Sequence, residues 1–197
     1  MYGLLSLLMG VLVAVMIVFN GDLTGVYGPY GATVIIHIAG LCLISLLVLF
    51  RREKPFAVRA PFYCYLGGAL GVLTTVFNNA SYGQISVSAI LALGLFGQSV
   101  TGILFDEFGW IGVKVRKFYP EKLLGLGLVL GGIACMLRQF VLLPVVLTFL
   151  SGVVQVVSRT TNARLSEHTS QYVSTFYNYV MGLAVALPVL FLLGRGE

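Results

Sequence analysis

Seven apolar segments, each of about the length that crosses a lipid bilayer, constrain this sequence most strongly. A bilayer core of about 30 Å needs roughly 20 residues of α-helix. Hydrophobic residues make up 58% of the 197 residues and charged residues 10%, which is too apolar for a soluble domain of this size. We therefore predict an all-α, polytopic membrane bundle of about seven transmembrane helices. The segments lie near 2–19, 32–50, 61–79, 85–105, 122–138, 140–158 and 173–194.

The composition also disfavours several classes of function. The net charge is +5, but the basic residues lie between apolar segments, as in membrane topology, and form no aromatic-interleaved patch for nucleic acid. The three cysteines, Cys42, Cys64 and Cys135, all lie in apolar segments without metal-ligand or disulfide spacing. We find no catalytic constellation, phosphate loop or metal cluster. The sequence therefore predicts no enzyme, no metal and no cofactor.

An internal repeat organises the chain. Residues 10–50 and 152–192 align without a gap at an offset of 142, with nine identities in 41 positions. We interpret residues 1–139 as a first five-helix repeat and 140–197 as the start of a second, incomplete one. The identical pairs include Gly10 with Gly152, Asn20 with Asn162, Leu23 with Leu165, Tyr30 with Tyr172, Thr33 with Thr175, Gly40 with Gly182 and Leu41 with Leu183.

The odd number of crossings in the repeat predicts its orientation. After five crossings the second copy enters the bilayer upside down, as in transporters built from inverted repeats. Only two of the five segments of the second copy are present. Either the chain is a fragment of a longer protein, or three helices come from elsewhere.

Charge gives an independent prediction of topology, since short cytoplasmic loops carry an excess of Lys and Arg. If every segment crosses, ten of the twelve basic residues share one face, and Arg138 and Arg195 lie on the other. The N-terminus is therefore predicted cytoplasmic and the C-terminus external. The ten are Arg51, Arg52, Lys54, Arg59, Lys114, Arg116, Lys117, Lys122, Arg159 and Arg164.

Uncharged polar residues are the candidates for substrate contact, because no Asp or Glu lies in the middle of a segment. This absence disfavours proton- or sodium-driven carriers of cations, which commonly hold a buried carboxylate. Gln98 either bonds a neighbouring helix or lines a cavity. His37 is either a neutral donor to a neighbouring helix or a proton-coupling group. The candidate cavity residues are Gln98, His37, Thr75, Asn79 and Gln155.

Other polar and small residues favour structural roles. We expect Asn20 and Asn162 to cap the C-terminal ends of helices, and for Asn78 and Asn79 we favour helix capping over cavity lining. Asp106 and Glu107 are expected to pair with Lys114 or Arg116 or to cap the chain break there. Small residues at short spacing predict helix packing seams, and a homo- or hetero-dimer through these faces. These residues are Gly67 and Gly71, Gly94 and Gly102 around Gln98, and Gly127 and Gly131.

Three stretches carry a family resemblance: NGDL at 20–23, FNNASYGQISVSAILALGLFGQSVTGILFDEFG at 77–109, and GLGLVLGGIACM at 125–136. They resemble the YdcZ-type inner-membrane exporters of the drug/metabolite transporter (EamA-like) superfamily. The resemblance implies a bacterial plasma-membrane protein with five-helix repeats, which occur singly or fused into ten-helix chains. It implies no binding residues and no substrate.

The leading hypothesis is a transporter of the drug/metabolite type that exports a small neutral, zwitterionic or amphiphilic metabolite by alternating access. The alternative hypothesis is a non-transporting membrane partner subunit, or a truncated remnant that associates with a complete carrier. An intramembrane enzyme is the third and weakest.

Overall fold

The computed structural model describes residues 2–57, 60–117, 119–136 and 141–194. These residues form six α-helices and two short 3₁₀ turns, at Phe62–Leu66 and Trp110–Gly112, and contain no strand. The prediction of an all-α protein is confirmed. The helices are α1 Tyr2–Phe50, α2 Gly67–Ser81, α3 Val87–Phe108, α4 Glu121–Met136, α5 Leu142–His168 and α6 Gln171–Leu193.

Four helices of the described part are long and apolar enough to cross a membrane. They are α1 from Gly3 onwards, α3, α5 and α6. With 15 and 16 residues, α2 and α4 are shorter than the roughly 20 residues that a perpendicular crossing needs. The chain is a membrane protein, while the count of seven crossings stays a prediction. The predicted boundary between the two repeats falls on residues 137–140, outside the described residues.

A break at Gly28 divides α1 into a first arm, residues 2–27, and a second arm, residues 29–50. Gly28 has φ 68° and ψ 167°, a conformation open to glycine, and Pro29 follows without an N–H to continue the helix. The Tyr82 hydroxyl, just beyond α2, donates to the Asp22 carboxylate of the first arm at 3.1 Å. Asn79 near the end of α2 donates to the Thr33 hydroxyl of the second arm at 3.4 Å. Both arms therefore contact the same end of α2.

The helix α5 extends ten residues beyond the predicted segment 140–158, as far as His168. The prediction that Arg159 and Arg164 lie in a loop is therefore wrong, because both lie in α5. Apolar periodicity stops near residue 158, but the polar residues that follow continue the helix. The connection between α5 and α6 consists of Thr169 and Ser170 only. The Ser170 hydroxyl accepts a bond from the Val173 N–H and caps the start of α6.

Helix packing places α5 against α2 and α3, and α6 against α1 and α2. Val34, Val72 and Ala186 form a small buried cluster where α1, α2 and α6 meet. α4 contacts mainly α3. A Cβ added at Gly67 would overlap the Asn162 side chain, whereas one added at four other predicted seam glycines would meet no atom within 4 Å. These are Gly94, Gly102, Gly127 and Gly131.

The loops after α1 and α3 meet the junction of α5 and α6 at one end of the bundle. The Arg51 guanidinium lies 5.3 Å from the ring centre of Tyr172, at the start of α6. Arg164, near the end of α5, donates to the Ile111 carbonyl of the loop after α3 at 2.9 Å. Several of the ten basic residues that were predicted to share one face thus lie at one end of the bundle. The side of the membrane that this end faces stays a prediction. Three of the twelve basic residues lie outside the described residues: Arg59, Arg138 and Arg195.

Candidate functional site

A polar cavity of about 250 Å³ lies between α1, α2, α5 and α6. Its wall carries side-chain amides from all four helices, with hydroxyl groups and one guanidinium between them. Amides within apolar helices require hydrogen-bond partners or water, since lipid supplies neither. Such a wall therefore indicates a wet chamber. The amides belong to Asn20, Asn78, Asn79, Gln155, Asn162 and Asn178, the hydroxyls to Thr74, Thr75, Tyr82 and Ser158, and the guanidinium to Arg159.

Three of the five candidate residues, Thr75, Asn79 and Gln155, lie on the wall of this cavity. Gln98 stands just behind the wall, where its side-chain oxygen accepts a bond from the Arg159 guanidinium at 3.1 Å. The fold therefore brings four candidates to one region. Their contact with a substrate stays a prediction.

His37 is the candidate that lies apart from the cavity wall. Its side chain is buried between α1 and α6, with 4% of its surface exposed. The ring Nδ1 donates to the Thr33 carbonyl at 2.8 Å, one turn back in the same helix. The ring also meets Tyr179 edge to face, with the ring centres 5.9 Å apart. The expected donor role therefore holds, but the acceptor is its own helix and not a neighbouring one.

Hydrogen bonds between helices hold part of the wall in place. Asn162 of α5 donates to the side-chain oxygen of Asn178 of α6 at 2.7 Å. The Ser151 hydroxyl of α5 donates to the side-chain oxygen of Asn78 of α2 at 2.8 Å. Hydrogen bonds of this kind contribute roughly 0.6 kcal/mol each between membrane helices. They fix the amides in position more than they stabilise the bundle.

The end of the cavity next to the α1 break is tied by Asn79 and Tyr82. Asn79 donates to the Pro29 carbonyl at 3.4 Å as well as to Thr33. The hydrogen bond that the Tyr82 hydroxyl donates to the Asp22 carboxylate raises the pKa of Tyr82 above its ordinary value, because ionising the phenol would remove the donor of that bond. Tyr82 therefore stays a neutral donor at this end.

A family model described as "Putative inner membrane exporter, YdcZ" matches residues 1–135 and 143–197 of the chain. The chain belongs to the YdcZ family. No curated protein and no solved structure matches it. Family membership indicates a membrane transporter and not an enzyme, and it confirms the resemblance in the sequence.

Two wall residues of this YdcZ-family protein are not where the sequence interpretation put them. Asn20 lies inside the first arm, eight residues before the break, and Asn162 lies six residues before the end of α5. The expectation that they cap helices is therefore wrong. Their side chains line the cavity together. The recurrence of an asparagine at the offset of 142 was the sequence signal for this pair. Because hydropathy predicts helices that are too short here, both asparagines fell at predicted helix ends and suggested caps.

Arg159 is the charged residue of the described wall, and it was not among the candidates from sequence. It was counted as loop charge, and the extension of α5 brings it to the cavity. No motif marks it, since a basic residue after an apolar run is the usual pattern of a cytoplasmic loop.

Asp106, one of two adjacent acidic residues at the end of the fourth predicted segment, forms an ion pair between helices. Its carboxylate pairs with the Lys122 ammonium at 3.3 Å, with 32% and 35% of the two side chains exposed. The carboxylate therefore pairs with Lys122 and not with the expected Lys114 or Arg116, because the first turn of α4 folds back onto the end of α3. The Asp106 backbone carbonyl accepts a bond from the Arg116 N–H at 2.7 Å. This ion pair lies outside the cavity wall.

Proposed function

We propose that this YdcZ-family protein moves a small neutral, zwitterionic or amphiphilic metabolite across the membrane by alternating access, with the amide-lined cavity as the substrate site. The observation that carries the proposal is the convergence of six side-chain amides from four helices on one chamber. Isolated amides facing lipid would be costly, and their use here fits hydrogen-bond recognition of a polar solute.

The chemistry of the wall supports this range of substrates. Within the described residues the wall contains amides, hydroxyls and one arginine, and no carboxylate. A carrier of organic cations would need a negative group in the membrane to offset desolvation of the cargo. A volume of about 250 Å³ is slightly below the usual 300–1,000 Å³ of ligand pockets, which favours a small metabolite.

The positions of the helix breaks support an internal duplication. At the offset of 142, Gly28 in the break of α1 corresponds to Ser170 in the junction of α5 and α6. The first arm of α1 thus matches α5, and the second arm matches α6. The family match is likewise interrupted at residues 136–142, a range that contains the predicted boundary at 139.

Reciprocal contacts between the second arm and α6 support an inverted arrangement. A Cβ at Gly182 would overlap the His37 ring, and a Cβ at Gly40 would overlap the Tyr179 ring. At the offset of 142, Gly40 corresponds to Gly182 and His37 to Tyr179. The His37 ring of the first copy therefore packs against Gly182 of the second, and the Tyr179 ring of the second packs against Gly40 of the first. A two-fold axis between the His37 and Tyr179 rings accounts for both contacts.

An axis of this kind would relate two bundles with opposite orientation in the membrane. Rocking of the bundles about the cavity would then expose it alternately to either side, as in other inverted-repeat carriers. We propose that the N-terminus is cytoplasmic and the C-terminus external, as the basic loops at one end of the bundle favour.

Efflux from proteoliposomes tests the proposal. Purified protein is reconstituted into liposomes loaded with a small-molecule cell extract, and the solutes released are identified by mass spectrometry. We expect a defined set of small polar metabolites to leave faster than from protein-free liposomes. Gln155→Trp should abolish this release, because the indole would fill much of the cavity.

A matched control places the same bulk away from the cavity. Leu128 of α4 is 72% exposed on the outside of the bundle, so Leu128→Trp should keep the wild-type release. No release above protein-free liposomes, or equal release by wild type and Gln155→Trp, would contradict the proposal.

A further inference from the structure

Arg159 places a positive charge on the cavity wall, nine residues before the end of α5. Its guanidinium donates to the side-chain oxygen of Gln98 at 3.1 Å. That acceptor is neutral, so it orients the guanidinium without balancing its charge. A guanidinium has five N–H donors in a fork, and one of them is used here.

The charges around Arg159 leave it without a negative partner. The ion pairs formed within the described residues join Asp106 to Lys122 and Arg164 to Glu167, and neither includes Arg159. Asp22 accepts a bond from the wall residue Tyr82 and forms no ion pair with Arg159 within the described residues. The described part of the cavity wall therefore carries one positive charge and no carboxylate.

The neighbouring amides add donors to the same chamber. The side-chain oxygens of Asn78 and Asn178 accept bonds from Ser151 and Asn162. Their side-chain NH₂ groups make no protein hydrogen bond in the described part of the chain. With two of its six amide oxygens engaged within the wall, the cavity presents the NH₂ groups of Asn78 and Asn178 beside a cation, an arrangement complementary to an oxygen-rich anionic group.

We propose that Arg159 binds a carboxylate of the transported solute, so that the substrate is a small carboxylate or a zwitterion that carries one. The proposal rests on the proposed function in that it takes this cavity as the substrate site. A guanidinium binds a carboxylate through two parallel N–H···O bonds. A phosphate would set two negative charges against a single guanidinium, so the carboxylate fits the site better. Gln98 is a positioning residue, which accepts a bond from the guanidinium and fixes its orientation at the edge of the wall.

Charge-selective labelling tests the electrostatics without any transport. A cysteine is placed at Gln155 in a background where Cys42, Cys64 and Cys135 are alanine. Its reaction rates with anionic and cationic methanethiosulfonates are then compared. One positive charge roughly 6 Å away in a watery chamber changes each rate about threefold in opposite directions. The ratio of anionic to cationic rate should therefore fall about tenfold when Arg159→Gln is added.

The charge-conserving variant Arg159→Lys separates charge from folding. It should keep the high ratio, and a neutral maleimide should react at similar rates in all three proteins. An unchanged ratio in Arg159→Gln would overturn the proposal. Because no transport is measured, this result would stand apart from a failure of the efflux experiment.

Protection from labelling tests carboxylate recognition itself. N-acetylglycine and N-acetylglycinamide have nearly the same shape and differ in the carboxylate. The acid should slow maleimide labelling of the Gln155→Cys protein, the amide should not, and Arg159→Gln should remove the difference. Equal protection by the two compounds, or by chloride at the same concentration, would overturn the assignment of a carboxylate site.

Discussion

Gly152 of α5 packs directly against the backbone of Gly94 in α3. A Cβ at Gly152 would overlap the Gly94 carbonyl oxygen, and a Cβ at Gly97 would likewise overlap the Phe149 carbonyl oxygen. Backbone atoms cannot move aside as a flexible side chain can. The crossing of α3 and α5 therefore depends on the absence of side chains at these positions.

The substitution Gly152→Ala should destabilise the protein, by roughly 1–3 kcal/mol as for other overpacked sites. Gly10, which lies 142 positions earlier in the first arm, has no atom within 4 Å of an added Cβ. Gly10→Ala should therefore be neutral or stabilise the helix by up to about 1 kcal/mol, since alanine is the better helix former. Thermal unfolding in detergent compares the two. Equal shifts in Tm would contradict the assigned contact.

The substitution His37→Gln should leave the pH dependence of efflux unchanged between pH 5.5 and 8. The ring is buried against Tyr179 and makes its hydrogen bond within its own helix, apart from the cavity wall. We expect instead a loss of about 1 kcal/mol of stability from the missing hydrogen bond. Rates for the released metabolites across the pH series check this, and the loss of one limb of the profile would assign proton coupling to His37.

Single cysteines in the loops should report opposite sides of the membrane. Lys54→Cys and Lys114→Cys lie in the basic loops after α1 and α3, and Gln84→Cys lies in the turn between α2 and α3. An impermeant maleimide added to intact cells should label only the cysteine at position 84. Inverted vesicles should give the reverse result. Labelling of all three from one side would refute the proposed orientation.

The substitution Asp106→Asn should have little effect on stability or transport. The pair with Lys122 is about one third exposed on each side and lies outside the cavity wall. Ion pairs of this exposure contribute about 0–1 kcal/mol. Unfolding and efflux measured on the same preparation test the expectation. A loss of efflux with normal stability would move this carboxylate into the transport mechanism.

Much of the candidate site could be predicted from residue type alone. Thr75, Asn79 and Gln155 were chosen as polar groups in apolar segments, and the fold places all three on one cavity wall. Gln98 was chosen in the same way and lies one hydrogen bond behind it. The choice of His37 followed from its titration range, which carries no information on where its ring points.

Helix ends were the weaker part of the prediction. Hydropathy marks where a helix leaves lipid, but it does not mark where the helix stops. Because α5 extends to His168, Arg159 lies on the cavity wall and not in the expected loop. For the same reason Asn162 lies on the wall and not at the expected helix end.

The sequence by itself determined that this is a helical membrane protein, because the length of an apolar segment is a property of the chain read in one dimension. Only the tertiary structure decided which polar groups share a chamber. The side chains of Asn20, Asn78, Gln155 and Asn178 lie on four separate helical segments. Their meeting depends on the break at Gly28 and on close glycine contacts such as Gly68 against the Asn178 backbone carbonyl, where α2 and α6 approach each other.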